Sequence, residues 1–131
     1  MPLIRIDIPE GRTNQEKQVL YDAVYDGIAT TWANEHIWIT LCDKFTPAGN
    51  NQVLMTVDLR PGRGGEEARL RALFDKVQPV FEKITGTGPK DMIILVRDFP
   101  QEACLSGGAP LPPLDTLTPD LDTQTSGRNA A

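Results

Sequence analysis

The sequence predicts an α/β (α+β) fold, a tandem β-α-β repeat whose four strands form one mixed sheet with two helices on one face. Three observations carry this: an alternating strand at the start, an amphipathic helix opened by a capping pair, and a return of the same pattern 51 positions later. Asp7, Gly11, Arg12 and Glu16 recur as Asp58, Gly62, Arg63 and Glu67 at that constant offset, as a duplicated unit would.

The first element is Leu3 to Ile8, where apolar and polar residues alternate with the period of a half-buried strand until Pro9, Glu10 and Gly11 end it. Thr13 with Glu16 three residues on has the capping-box spacing, in which each side chain satisfies an orphan backbone amide of the other residue. A helix is expected from about Asn14 to about Trp32, with Leu20, Ala23, Val24, Gly27 and Ile28 on its apolar face and Lys17, Asp22 and Asp26 solvated. Ile37 to Leu41 is the second strand, and residues 43 to 51, with Pro47 and Gly49, are a polar connector.

Val53 to Leu59 restarts the pattern. The helix after it carries Leu70, Leu73, Phe74, Val77, Phe81 and Ile84 on one stripe, with a kink or break expected at Pro79. Gly86 and Gly88 close it, and Met92 to Val96 is expected to be a buried strand. Strands joined through a helical crossover run parallel within each unit. One face of the sheet then lacks cover, with Ile4, Ile6, Ile39 and Val57 available to it or to the helices, so self-association is expected. Residues 1–100 form this domain. Residues 101–131 are a Pro-rich extension, expected to be disordered from about 118 onward and, over 101–117, to drape on a neighbouring subunit through Leu105, Leu111, Leu114 and Leu117.

Composition narrows the function classes. A chain of 131 residues that is 40% hydrophobic suits one soluble domain. Its formal charge of −5 disfavours nucleic acid, which needs a clustered excess of Lys and Arg. No apolar run is long enough to span a bilayer and no secretory layout opens the chain, so no membrane partner and a cytoplasmic location are expected. Cys42, Cys104 and the single His36 make no ligand cluster, and no metal is expected.

Pro2 follows the initiator Met1. Removal of Met1 would expose a secondary amine on a rigid ring, a basic group oriented for proton transfer. Arg60 and Arg63 bracket a strand-to-helix turn, where two guanidiniums and exposed amides converge on an anion such as a carboxylate. Each feature alone is compatible with an ordinary chain start or a solvated turn; their conjunction with the repeat points to a site.

With these residues the chain resembles the tautomerase superfamily, whose members share an amino-terminal proline and a β-α-β building block. The resemblance covers roughly residues 1 to 98. It is strongest from Pro2 through Lys17, which is similar to the start of 4-oxalocrotonate tautomerase. Two units in one chain resemble the fused members, malonate semialdehyde decarboxylase and cis-3-chloroacrylic acid dehalogenase, and imply a tautomerase/MIF-like fold and a homotrimer. The resemblance gives Arg60 and Arg63 the substrate carboxylate and Pro2 the role of general base; Trp38 is read as an apolar wall. Trp38 stands where the short enzyme has a binding Arg, which makes a dicarboxylate substrate less expected. Glu35 matches a catalytic Asp of the decarboxylase, although a loop carboxylate is more often plain surface. The dehalogenase's His, Tyr and Glu correspond to Ile28, Leu95 and about Ser106, so its way of activating water looks absent. Arg12 is a lesser candidate, for subunit contacts.

Burial and nearby guanidiniums both disfavour a protonated Pro2 and lower its pKa, so the amine can accept a proton near neutral pH. The expected activity is cofactor-free tautomerisation of a small 2-oxo or enol carboxylic acid, with Pro2 moving a proton from the carbon beside the carbonyl. Two alternatives stand beside it: decarboxylation or hydration of a three-carbon acid with Glu35 assisting, and a non-catalytic oligomeric assembly protein.

Overall fold

A computed structural model describes residues 2–31, 37–45, 51–60 and 66–111. The main elements are β1 (Leu3–Pro9), α1 (Asn14–Thr31), β2 (Trp38–Lys44), β3 (Val53–Leu59), α2 (Glu66–Thr85) and β4 (Met92–Asp98). One sheet has the order β2-β1-β3-β4, with β1 parallel to β2, β3 parallel to β4 and the two units meeting antiparallel at β1 and β3. This is the tandem β-α-β arrangement expected, with both helices on one face.

Residue parity along β1 decides which side is dry. Ile4, Ile6 and Ile8 are buried and join Val53, Met55, Val57 and Leu59 of β3 against Leu20, Val24 and Ile28 of α1 and Leu73, Val77 and Phe81 of α2. The face that Ile4, Ile6, Ile39 and Val57 left open in the sequence is therefore settled: they turn to the helices. The other face carries Leu3, Arg5 and Asp7 beside Trp38, Thr40 and Cys42 on β2, with Leu54, Thr56 and Asp58 on β3. Trp38, Leu54, Ile93 and Leu95 on this side are exposed.

Both capping predictions hold at α1. The Thr13 N–H donates to Glu16 Oε1 at 2.9 Å, and the Glu16 N–H donates to Thr13 Oγ1 at 3.1 Å. Lys17 does not remain merely solvated: its Nζ donates to Asp43 Oδ2 at 2.7 Å and ties α1 to β2. The helices pack closely at Gly27, where a Cβ would sit 3.2 Å from Val77 Cγ1 and 3.3 Å from Leu73 Cδ1. At the end of α2, Gly86 takes φ +71° and donates its N–H to the Glu82 carbonyl at 3.0 Å, the left-handed closure that glycine accommodates best.

Two expectations are corrected. First, α2 runs without interruption through Pro79, whose ring sits at an exposed position. Second, β4 is an edge strand and is not buried on both faces: Ile93 is 61% exposed while Met92, Ile94 and Val96 pack toward the core. The segment after Pro100 contains a 3₁₀ turn at Gln101–Ala103 and a short hairpin, β5 (Leu105–Ser106) and β6 (Ala109–Pro110), turned by Gly107 and Gly108 with φ of +64° and +85°. Leu105 on this hairpin is 73% exposed. Leu114, Leu117 and the stretch from 118 lie outside the described residues. Among the described residues, no helix is long and apolar enough to cross a membrane.

Candidate active site

The amino-terminal end of β1 and the carboxy-terminal end of β3 meet because the two strands are antiparallel. Leu3 pairs with Asp58, so one further step of the register sets Pro2 beside Leu59, with Arg60 next in the chain. Pro2 is buried, and Arg60 is only 7% exposed. On the other side of β1, the Trp38 N–H donates to the Pro2 carbonyl oxygen at 3.0 Å, fixing the start of β2 against Pro2. At the far side of β3, the Phe99 N–H donates to the Leu59 carbonyl at 2.8 Å, which holds the strand end just before Arg60.

Of the residues the sequence singled out, Pro2, Arg60 and Trp38 thus share one end of the sheet. Trp38 is 60% exposed and lies on the open face, whereas Pro2 has the parity of the core. Glu35, His36 and Arg63 lie outside the described residues. Ile28 is fully buried in the core, Leu95 is on the open face and Ser106 is in the hairpin.

Arg12, the lesser candidate, is engaged inside its own chain. Its Nη1 donates to the Ile84 carbonyl at 2.9 Å, near the end of α2, while its Nε is buried without a hydrogen-bond partner among the described residues. Arg69 in α2 mirrors it by donating to the carbonyl of Thr31, the last residue of α1. Each helix end, where backbone carbonyls lack intrahelical partners, is therefore held by an arginine from the other half of the repeat.

Sequence reasoning missed two ion pairs on the open face. Arg5 donates from Nε and Nη2 to the two carboxylate oxygens of Asp7, both at 3.3 Å, and Arg97 does the same to Asp58 at 3.0 and 3.1 Å. The signal was present: Asp7 and Asp58 are one of the repeated identities, and strand parity places both on the face away from the helices. A cavity of about 320 Å³ opens on this face, lined by Leu3, Ile4, Arg5, Trp38, Thr40 and Asp58. Among the described residues, no cluster of His, Cys, Asp and Glu is arranged to hold a metal ion.

No family model matches the sequence, and no curated protein matches it. Solved structures do match the fold. The wild-type symmetric trimer of W0 fused 4-OT superposes with a TM-score of 0.70 at 15% identity, over 82% of this chain and 95% of that one. Pt0534 inactivated by 2-oxo-3-pentynoate gives 0.69 at 19% identity, over 82% and 93%. FG41 malonate semialdehyde decarboxylase inhibited by 3-bromopropiolate gives 0.60 at 21% identity, over 78% and 86%. The chain has the tautomerase/MIF-like fold that these structures share.

Proposed function

We propose that this protein is a cofactor-independent tautomerase acting on a small 2-oxo or enol carboxylic acid, with Pro2, freed by removal of Met1, as its general base. The observation that carries the reading is that buried Pro2 and buried Arg60 lie at one end of the sheet, where β1 begins and β3 ends, in a fold shared with fused 4-OT. Arg60 and Arg63 hold the substrate carboxylate and Trp38 supplies an apolar wall. In ketonisation, the neutral Pro2 nitrogen takes the enol hydroxyl proton as the carbonyl forms. The pyrrolidinium then delivers a proton to the adjacent carbon, and the ring nitrogen is neutral again. The guanidiniums offset enolate charge along the way. Desolvation of the buried amine and the nearby cationic side chains both favour the neutral base.

The assembly proposed is a homotrimer in the cytoplasm, formed over the open sheet face with the β5–β6 hairpin packed on a neighbouring subunit. Exposed Trp38, Ile93, Leu95 and Leu105 support this, since a hairpin of two-residue strands gains little stability alone. W0 fused 4-OT is itself described as a symmetric trimer.

Decarboxylation or hydration of a three-carbon acid, with Glu35 assisting, is the second reading, favoured by the likeness to malonate semialdehyde decarboxylase. Assaying phenylpyruvate enol, 2-hydroxymuconate and malonate semialdehyde with wild type, Pro2→Ala and Glu35→Gln separates the two. The tautomerase reading expects enol turnover that Pro2→Ala abolishes and Glu35→Gln spares. Turnover of malonate semialdehyde alone, lost in Glu35→Gln, would replace it with the second. No turnover by a trimer that retains Met1 would leave the assembly protein.

A further inference from the structure

The open-face cavity reaches the sheet end at Leu3, which follows Pro2 in the chain, and Trp38, whose backbone N–H donates to the Pro2 carbonyl. It has an apolar wall in Leu3 and Trp38 and two charged side chains, Arg5 and Asp58, of opposite sign. Each of those charges is already matched from outside the cavity: Asp7 receives both Nε and Nη2 of Arg5, and Arg97 grips both oxygens of Asp58. Arg5 would otherwise be a second carboxylate receptor, since its side chain is 63% exposed and points along the open face. Asp7 is the residue that prevents this.

We propose that the Arg5–Asp7 pair sets substrate choice by neutralising the distal cavity, so that the site takes a monocarboxylate with an uncharged aryl or unsaturated end and rejects a second carboxylate. This rests on the reading of Pro2 and Arg60 as the reacting end, and names the chemistry of the other end. The apolar group lies against Trp38 and Leu3, where its burial is favourable, while a second carboxylate would lose hydration facing Asp58, with no unmatched cation among the lining residues. A neutral oxygen can still accept from Arg5 Nη1 or from the Thr40 hydroxyl. The hydrogen bonds and charge of Asp7 also raise the Arg5 pKa, so the guanidinium remains charged and its neutralisation comes from pairing. Asp7 and Arg5 are thus specificity-determining residues that act on binding.

Calorimetric titration with two unreactive acids tests this independently of turnover. The probes are 3-phenylpropanoate and hexanedioate, bound to wild type, Asp7→Asn, Arg5→Gln and the double variant, each confirmed folded by its unfolding transition. Wild type is expected to prefer 3-phenylpropanoate. In Asp7→Asn the preference should shift toward hexanedioate by about fivefold, the upper range for one exposed ionic contact. The gain should vanish in the double variant, and Arg5→Gln, which leaves Asp7 unpaired, should disfavour hexanedioate further. A ratio unmoved within about twofold in both single variants, or a gain that survives removal of Arg5, would overturn the proposal. Binding that follows this pattern in a protein without tautomerase activity would instead count against the assignment of Pro2.

Discussion

Trp38 donates its backbone N–H to the carbonyl oxygen of Pro2 at 3.0 Å, so the strand carrying the apolar wall and the residue assigned as base are joined by the sheet itself. The same ladder brings Arg60 alongside from β3. Site geometry here is a consequence of strand order: the start of β1 lies between the start of β2 and the end of β3 only because the two β-α-β units meet antiparallel.

Arg60 should act on binding more than on the chemical step. Arg60→Lys keeps the charge but loses the planar fork that matches a carboxylate, and is expected to raise KM about tenfold with kcat changed far less. Steady-state kinetics on the enol substrate, with competitive inhibition by a simple carboxylate, reads this. An unchanged KM in a folded variant would place the carboxylate elsewhere.

Arg12, by contrast, should matter for stability alone. Arg12→Met removes the bond to the Ile84 carbonyl but also a buried Nε that has no partner, so the net cost is expected to be about 1 kcal/mol. Denaturant unfolding measures the loss, and KM for a carboxylate substrate should not move. A large rise in KM would return Arg12 to the binding site.

Gly27 lies where α1 and α2 come closest. Gly27→Ala gains helix propensity of about 1 kcal/mol but forces the buried side chains of Val77 and Leu73 to yield, an overpacking that costs about 1–3 kcal/mol. A net destabilisation of about 1 kcal/mol is expected from these two terms. A more stable variant in chemical denaturation would show that the interface relaxes freely.

The capping box gives the acid limb of stability a specific signature. Glu16 is held below its ordinary value of 4.5, first by accepting the Thr13 backbone N–H, which outweighs the opposing effect of desolvation, and then by the Thr13 hydroxyl and Arg12. A depressed carboxylate contributes stability that is present above the ordinary value and is lost as pH falls through the lowered one. Glu16→Gln should therefore flatten the pH dependence of the melting temperature below about pH 4.5 and leave its shape near neutrality unchanged. Equal acid sensitivity in the variant would remove Glu16 from that limb. Thr13→Ala, losing the cap itself, should cost about 1 kcal/mol at all pH values above it.

How much of this was legible in the sequence follows from how local each signal is. The capping box, the alternation of Leu3 to Ile8 and the glycine closing α2 are contained within a few residues, and each appears where the spacing placed it. The repeat made β1 and β3 equivalent, and their antiparallel pairing sets Pro2 and Arg60 at the same end of the sheet. Edge position is different in kind. Ile93 and Leu95 read as core because an apolar run looks the same whether or not a further layer covers its second face. Pro79 read as a break because its missing donor is a local fact, whereas the rest of the apolar stripe of α2 is anchored on the sheet. The Arg5–Asp7 pair went unread because two charges on the polar parity of a strand look like ordinary solvated surface until a cavity is seen beside them.

The most direct test of Pro2 as a neutral, nucleophilic amine in a carboxylate-binding site is covalent capture. Incubation of the native protein with 2-oxo-3-pentynoate, the compound that inactivates Pt0534, followed by peptide mass spectrometry, locates any adduct. The account predicts processed chains beginning at Pro2, one adduct on the Pro2 nitrogen, and loss of enol turnover in step with labelling. Chains that retain Met1, or labelling confined to Cys42 or Cys104 with Pro2 untouched, would contradict it.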